Sequence, residues 1–216
     1  MKRLRKFLSL SPRDRYLLSS TVFSYCSLWL WWVLANVASG LLRQFSELFW
    51  LTGPVVGVFQ WLVLRRYIRH IGWWVLASAG GWIIAFMITY VFKGGTKISA
   101  MAPKVELTVG GAPVNMQVFW SYVLVSFLAS AVIGVFQWLV MRRHIQHSGW
   151  WVLASSMGGV VRGAAIAVIK SVAGIVLGNV AGWFGYGAVT GIALVWLLQD
   201  RIKHRLEREM YLGSIF

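Results

Sequence analysis

Six stretches of this sequence are apolar for long enough to cross a hydrocarbon layer about 30 Å thick, and that leaves few folds open. They lie at 16–38, 48–64, 73–92, 118–141, 150–170 and 182–199. A backbone in lipid has no water to satisfy its N–H and C=O groups, so each run must form a helix that bonds within itself. The expected fold class is therefore all-α: a polytopic membrane helix bundle of about six transmembrane helices. Only 12% of the 216 residues are charged, against about 25% in soluble domains. The 14 Trp suit membrane interfaces, where an indole keeps its ring apolar and its N–H wet. The first run, Tyr16 to Ala38, exceeds the roughly 7–15 residues of a signal-peptide core and reads as a retained helix.

Charge placement orients the bundle. Of the 21 Lys and Arg, 15 fall on one face: before run one, in the links between runs two and three and between four and five, and after run six. Basic residues are retained in the cytoplasm, so both termini are expected there, in a thylakoid or plasma membrane once the resemblance described below is considered. Arg65, Arg66, Arg142 and Arg143 are the expected lipid-headgroup contacts. The net charge of +15 comes in short blocks between apolar runs, so anionic lipid rather than nucleic acid is the expected partner. The expected layout is a basic N-terminus at 1–15, a transmembrane domain at 16–199 and a cytoplasmic helix extension at 200–216. An outer loop at 93–117 alternates polar and apolar residues over Lys104–Val109, which reads as a small β-hairpin or cap, with a flexible loop as the alternative. A turn between Lys170 and Gly182 divides runs five and six.

The chain also repeats itself. Residues 57–78 match residues 134–155 at 18 of 22 positions, with a shift of 77. Each copy runs Gly-Val-Phe-Gln-Trp, then Arg-Arg, then Gly-Trp-Trp-Val-Leu-Ala-Ser, a helical hairpin with a tight basic turn. Small residues let its helices approach, a Gln in hydrocarbon finds a partner on another helix, and the Trp pair anchors the return. Both copies point the same way, unlike the inverted repeats of many secondary transporters. Run six offers a weak third copy of the inward half, with Gly187 and Gly191 echoing Gly53 and Gly57. Run one contains Trp31-Trp32-Val33-Leu34-Ala35-Asn36, yet near its outer end, the wrong depth for a counterpart of the return half. If runs one and six are nonetheless degenerate partners, the bundle is a three-fold pseudo-symmetric ring of hairpins.

The unit Gln60-Trp61 to Arg65-Arg66, followed by Gly72-Trp73-Trp74-Val75-Leu76-Ala77-Ser78, resembles uncharacterised multipass membrane proteins of cyanobacteria that carry the same motif. The resemblance covers 53–82 and 130–159 and implies a photosynthetic bacterium. It implies no reaction.

Few residues carry chemistry. Arg162 stands 12 residues past Trp150, about 18 Å into its span. An intramembrane charge points to function by default, here an anion or carboxylate ligand or an acidic group on a partner; snorkelling to the headgroups is the structural alternative. Gln60 and Gln137 either bond between helices or offer amide oxygens to a chlorophyll magnesium. No cofactor is required otherwise. Cys26 stands alone, which excludes an intrachain disulfide, and the four His sit at the apolar boundaries without zinc spacing. There is no catalytic triad, no paired intramembrane carboxylate and no phosphate loop, so catalysis is not expected. The first functional expectation is a noncatalytic membrane subunit, scaffold or assembly factor of a larger, photosynthetic complex, meeting a membrane-protein partner or further copies of itself. The second is a small transporter or channel for an anionic or small polar solute.

Overall fold

The computed structural model describes residues 12–42, 51–91, 97, 100–101, 105–109 and 111–213. The basic segment 1–11, Arg43, Lys93, Lys104 and most of the rest of the loop at 93–104 lie outside the described residues, as do 48–50 of the second apolar run.

The first helix, α1, spans Pro12–Leu42. Helix α2, Thr52–Leu64, enters a turn at 65–72, and α3, Trp73–Phe86, returns from it. A π-helical turn, Met87–Val91, extends α3; there the Thr89 hydroxyl donates to the Ala85 carbonyl at 2.7 Å. Strands β1, Glu106–Val109, and β2, Ala112–Asn115, pair antiparallel, so the alternating segment of the outer loop forms the hairpin. Asn115 then caps α4, Met116–Met141, its side-chain oxygen accepting from Gln117 N and Val118 N at 2.9 and 3.2 Å. Such a cap satisfies amides that a helix start would leave orphaned. After a second turn at 142–149, one helical stretch runs from Trp150 to Gly213, broken only at Gly174, whose φ of 85° and ψ of 169° are non-helical. We call its two arms α5 (150–173) and α6 (175–213). They run antiparallel, since Gly178 lies against Lys170 and Ile166, and Gly182 against Arg162 and Ile166. The turn expected between Lys170 and Gly182 is this single reversal.

Among the described residues, three helical segments are long and apolar enough to cross a membrane: Ser19–Leu41, Met116–Met141 and Trp150–Arg208, the last containing both α5 and α6. Thr52–Leu64 and Trp73–Thr89 are shorter apolar helices. The chain is thus an all-α bundle with the make-up of a membrane protein.

The two repeated turns share a backbone feature. His70 and His147 adopt left-handed φ values of 60° and 57°. Glycine is the usual occupant of such a position, yet Gly72 and Gly149, two residues on, do not fill it.

The main apolar core gathers at the level of these turns. Leu64, Ile68, Trp74, Met141, Trp151 and Leu198 are among its buried members. Trp32 of α1 is there as well, fully buried, its ring 6.2 Å from Trp74 and 5.7 Å from Trp151. This corrects the depth read from the sequence: Trp31–Asn36 sits beside the basic turns, not at the outer end of its run. Helix α1 is 31 residues long, so its N-terminal half projects past the turns, and counting depth from Tyr16 misplaces the motif. Helix α6 likewise continues past the turns. Arg201 donates to the His144 carbonyl, and Arg205 donates to the Arg66 carbonyl at 3.2 Å.

Candidate functional site

Three indoles meet edge to face at the centre of the bundle, Trp74 and Trp151 lying 5.7 Å apart. A buried indole N–H needs an acceptor, and each finds one on a neighbouring helix. Trp74 donates to Gln60 Oε1 at 3.1 Å, Trp151 to Gln137 Oε1 at 3.0 Å and Trp32 to Thr190 Oγ1 at 2.9 Å. Close backbone approach permits these bonds. A Cβ on Gly57 would lie 2.9 Å from Ser78 Cβ, one on Gly134 2.8 Å from Ser155 Cβ, and one on Gly187 3.1 Å from Asn36 Cβ.

The amides join the indoles into one network. Gln137 Nε2 donates to Gln60 Oε1 at 3.2 Å and to Ser78 Oγ at 2.9 Å. Gln60 Nε2 donates to Asn36 Oδ1 at 3.0 Å, and Asn36 Nδ2 donates to the Trp32 carbonyl at 2.8 Å. Ser155, bonded to the Ser130 carbonyl, shares a 2.9 Å bond with the Tyr186 hydroxyl. Gln60 Oε1 accepts twice, so both its lone pairs are engaged, and a magnesium ligand there would have to displace an indole or the second amide.

Above this network lies a small cavity of about 20 Å³, lined by Gln60, Ser78, Ser130, Gln137, Arg162 and Tyr186 among others. The three candidate ligand residues, Gln60, Gln137 and Arg162, thus face one space. Arg162 is 6% exposed and does not snorkel; its guanidinium stacks 4.5 Å above the Trp183 ring, a cation–π geometry. Ser130 Oγ and Trp183 Nε1, also at the cavity, are buried with no hydrogen-bond partner among the described residues. The space holds about one water molecule.

The four expected headgroup arginines are exposed at the turns. Arg65 and Arg142 fold back over Trp61 and Trp138, at 5.2 and 5.3 Å, while Arg66 reaches across to Trp31 of α1 at 5.7 Å. Sequence reasoning missed Asn36, Thr190 and Tyr186 as members of the central network. The Trp-Trp-Val-Leu-Ala pattern around Asn36 was the available signal for one of them.

No family model, no curated protein and no solved structure matches the chain.

Proposed function

We propose that the chain is a noncatalytic integral membrane subunit, a scaffold or assembly factor around which a larger membrane complex is built. The observation that carries this reading is the filled centre. Three interlocked indoles close the middle of the bundle, and the polar cavity beside them, at about 20 Å³, is too small for an organic solute. A close-packed interior whose indoles are each hydrogen-bonded across helices suits a rigid platform better than a path for a solute.

In this reading the chain makes six spans arranged as three hairpins: α2 with α3, α4 with α5, and α6 with α1. The third hairpin is divided between the two ends of the sequence. The three matched indole bonds and glycine contacts support it, as does the packing one turn further out. There Gly53 faces Trp82, Gly159 faces Ser130 and Gly40 faces Trp183, so large and small residues exchange sides from one hairpin to the next. Both termini are placed on the cytoplasmic side. The basic turns at 65–72 and 142–149 and the Arg201–Arg208 segment meet at one end, which supports that orientation. The resemblance to cyanobacterial multipass proteins favours a thylakoid or plasma membrane. With the amide oxygens bonded to indoles, pigment is not part of the proposal.

Purification from native membranes in mild detergent tests the assignment. Stoichiometric partner proteins are the expected result, lost on a native gel when the exposed apolar faces are altered. A solitary protein that passes small anions in proteoliposomes, and stops doing so as Arg162→Ala, would overturn it in favour of a transporter.

A further inference from the structure

The outward face between α1 and α2 carries a groove of about 320 Å³, lined by Trp31, Leu34, Ala38, Phe59, Leu62 and Arg66 among others. That size is in the range of sites that hold small organic ligands, roughly 300–1,000 Å³. Its walls are apolar along their length and its one charged wall residue stands at the turn end. There the Arg66 guanidinium lies over the Trp31 ring, and the Arg205 guanidinium bonds to the Arg66 carbonyl. Arg66 is thus the cation at the mouth of an apolar slot, with Arg205 bonded to its backbone.

At the corresponding face between α3 and α4 the helices pack closely against a pair of glycines. Phe136, the repeat counterpart of Phe59, lies against Gly80, where an added Cβ would be 3.5 Å from its ring, and against Gly81, where one would be 3.3 Å from its Cβ. In α1 the matching positions, two and three residues past Asn36 as Gly80 and Gly81 follow Ser78, are Ala38 and Ser39. These residues add bulk where Gly80 and Gly81 have none, and Ala38 lines the slot together with Phe59.

We propose that this groove is a binding site for one anionic phospholipid, with an acyl chain along Leu34, Ala38 and Leu62 and the phosphate held by Arg66 and Arg205. An apolar channel with the Arg66 guanidinium at its mouth, and Arg205 bonded to the Arg66 backbone, complements that molecule in both parts: hydrocarbon fills the slot, and the planar cations meet phosphate oxygens. The site needs the membrane placement above but not the scaffold role, and its test does not depend on finding a protein partner.

The test is thermal unfolding of the full chain in neutral detergent, titrated with phosphatidylglycerol or phosphatidylcholine and paired with native mass spectrometry of retained lipid. Phosphatidylglycerol is expected to raise the midpoint by several degrees and to leave one lipid bound, with phosphatidylcholine far weaker. Arg66→Gln should abolish the preference and Ala38→Phe should abolish retention, whereas Lys97→Gln, exposed in the outer loop, should change neither. Equal responses to the two lipids, or equal losses in Arg66→Gln and Lys97→Gln, would overturn the site. So would a full response to soluble glycerol phosphate, because the groove would then contribute nothing.

Discussion

Replacing Gln60 by Leu keeps the bulk of the side chain and removes its polar end. Three bonds go with it: from Trp74 at 3.1 Å, from Gln137 at 3.2 Å and to Asn36 at 3.0 Å. Side-chain bonds between helices in a membrane are worth on average ~0.6 kcal/mol and at most ~1.7. The substitution should therefore destabilise by about 2 kcal/mol, with an upper bound near ~5 kcal/mol. Gln137→Leu also removes three bonds, to Gln60, to Ser78 and from Trp151. The two variants share one bond, so the double mutant should fall short of additivity by roughly 0.6 kcal/mol or more. Reversible unfolding in mixed micelles measures all three. Ser121→Ala is the control, since the Ser121 hydroxyl bonds only to the Gln117 carbonyl of its own helix. A Gln60→Leu loss within 0.5 kcal/mol of that control, on the order of ordinary surface changes, would refute the network as a source of stability. Strict additivity would refute the Gln60–Gln137 bond itself.

Gly159→Ala should cost about 1–3 kcal/mol by overpacking, since the new methyl would meet Ser130 Oγ at 2.6 Å as well as the Ser126 carbonyl. Gly149→Ala, with nothing within 4 Å, should be close to neutral in the same unfolding assay, and equal losses would contradict the α4–α5 approach. A pH effect is expected at the second turn. Burial first, then Arg201, Arg143 and His70, hold His144 below the ordinary histidine value. The unfolded chain then binds the proton more readily than the folded one, so stability should fall as pH drops below about 6.5 toward the folded value. Melting midpoints across that window should decline more steeply for the natural chain than for His144→Gln; parallel curves would count against this.

Much of the architecture was legible from apolar run length, because lipid forces a helix wherever a run is long enough. The turn positions were legible from Arg65-Arg66 and Arg142-Arg143, and the outer hairpin from alternation. The pairing of α1 with α6 was hidden for two physical reasons. The acceptor for its indole is the Thr190 hydroxyl rather than a Gln amide, and a shorter side chain serves because it lies 2.9 Å from Trp32 Nε1. Packing also keeps the summed bulk of facing residues rather than their identity, as Gly53 with Trp82 and Trp183 with Gly40 illustrate. The left-handed histidines carried no sequence signal, because Gly72 and Gly149 offered a nearer candidate for the turn. Gln60, Gln137 and Arg162 were selected individually for polarity inside apolar runs; that they line one cavity depends on contacts between helices, which no local pattern encodes.

Trp32 and its acceptor Thr190 are separated by 158 residues. At about 5–20 residues per second, roughly 8–30 s of synthesis lies between them. During that interval Asn36 can already meet Gln60, yet the Trp32 indole has entered the bilayer without its acceptor. A ribosome that stalls before the last helix leaves a membrane segment with an unsatisfied polar group on an open seam. The Trp32 face of α1 is thus completed only when α6 arrives, long after α1 itself has been made.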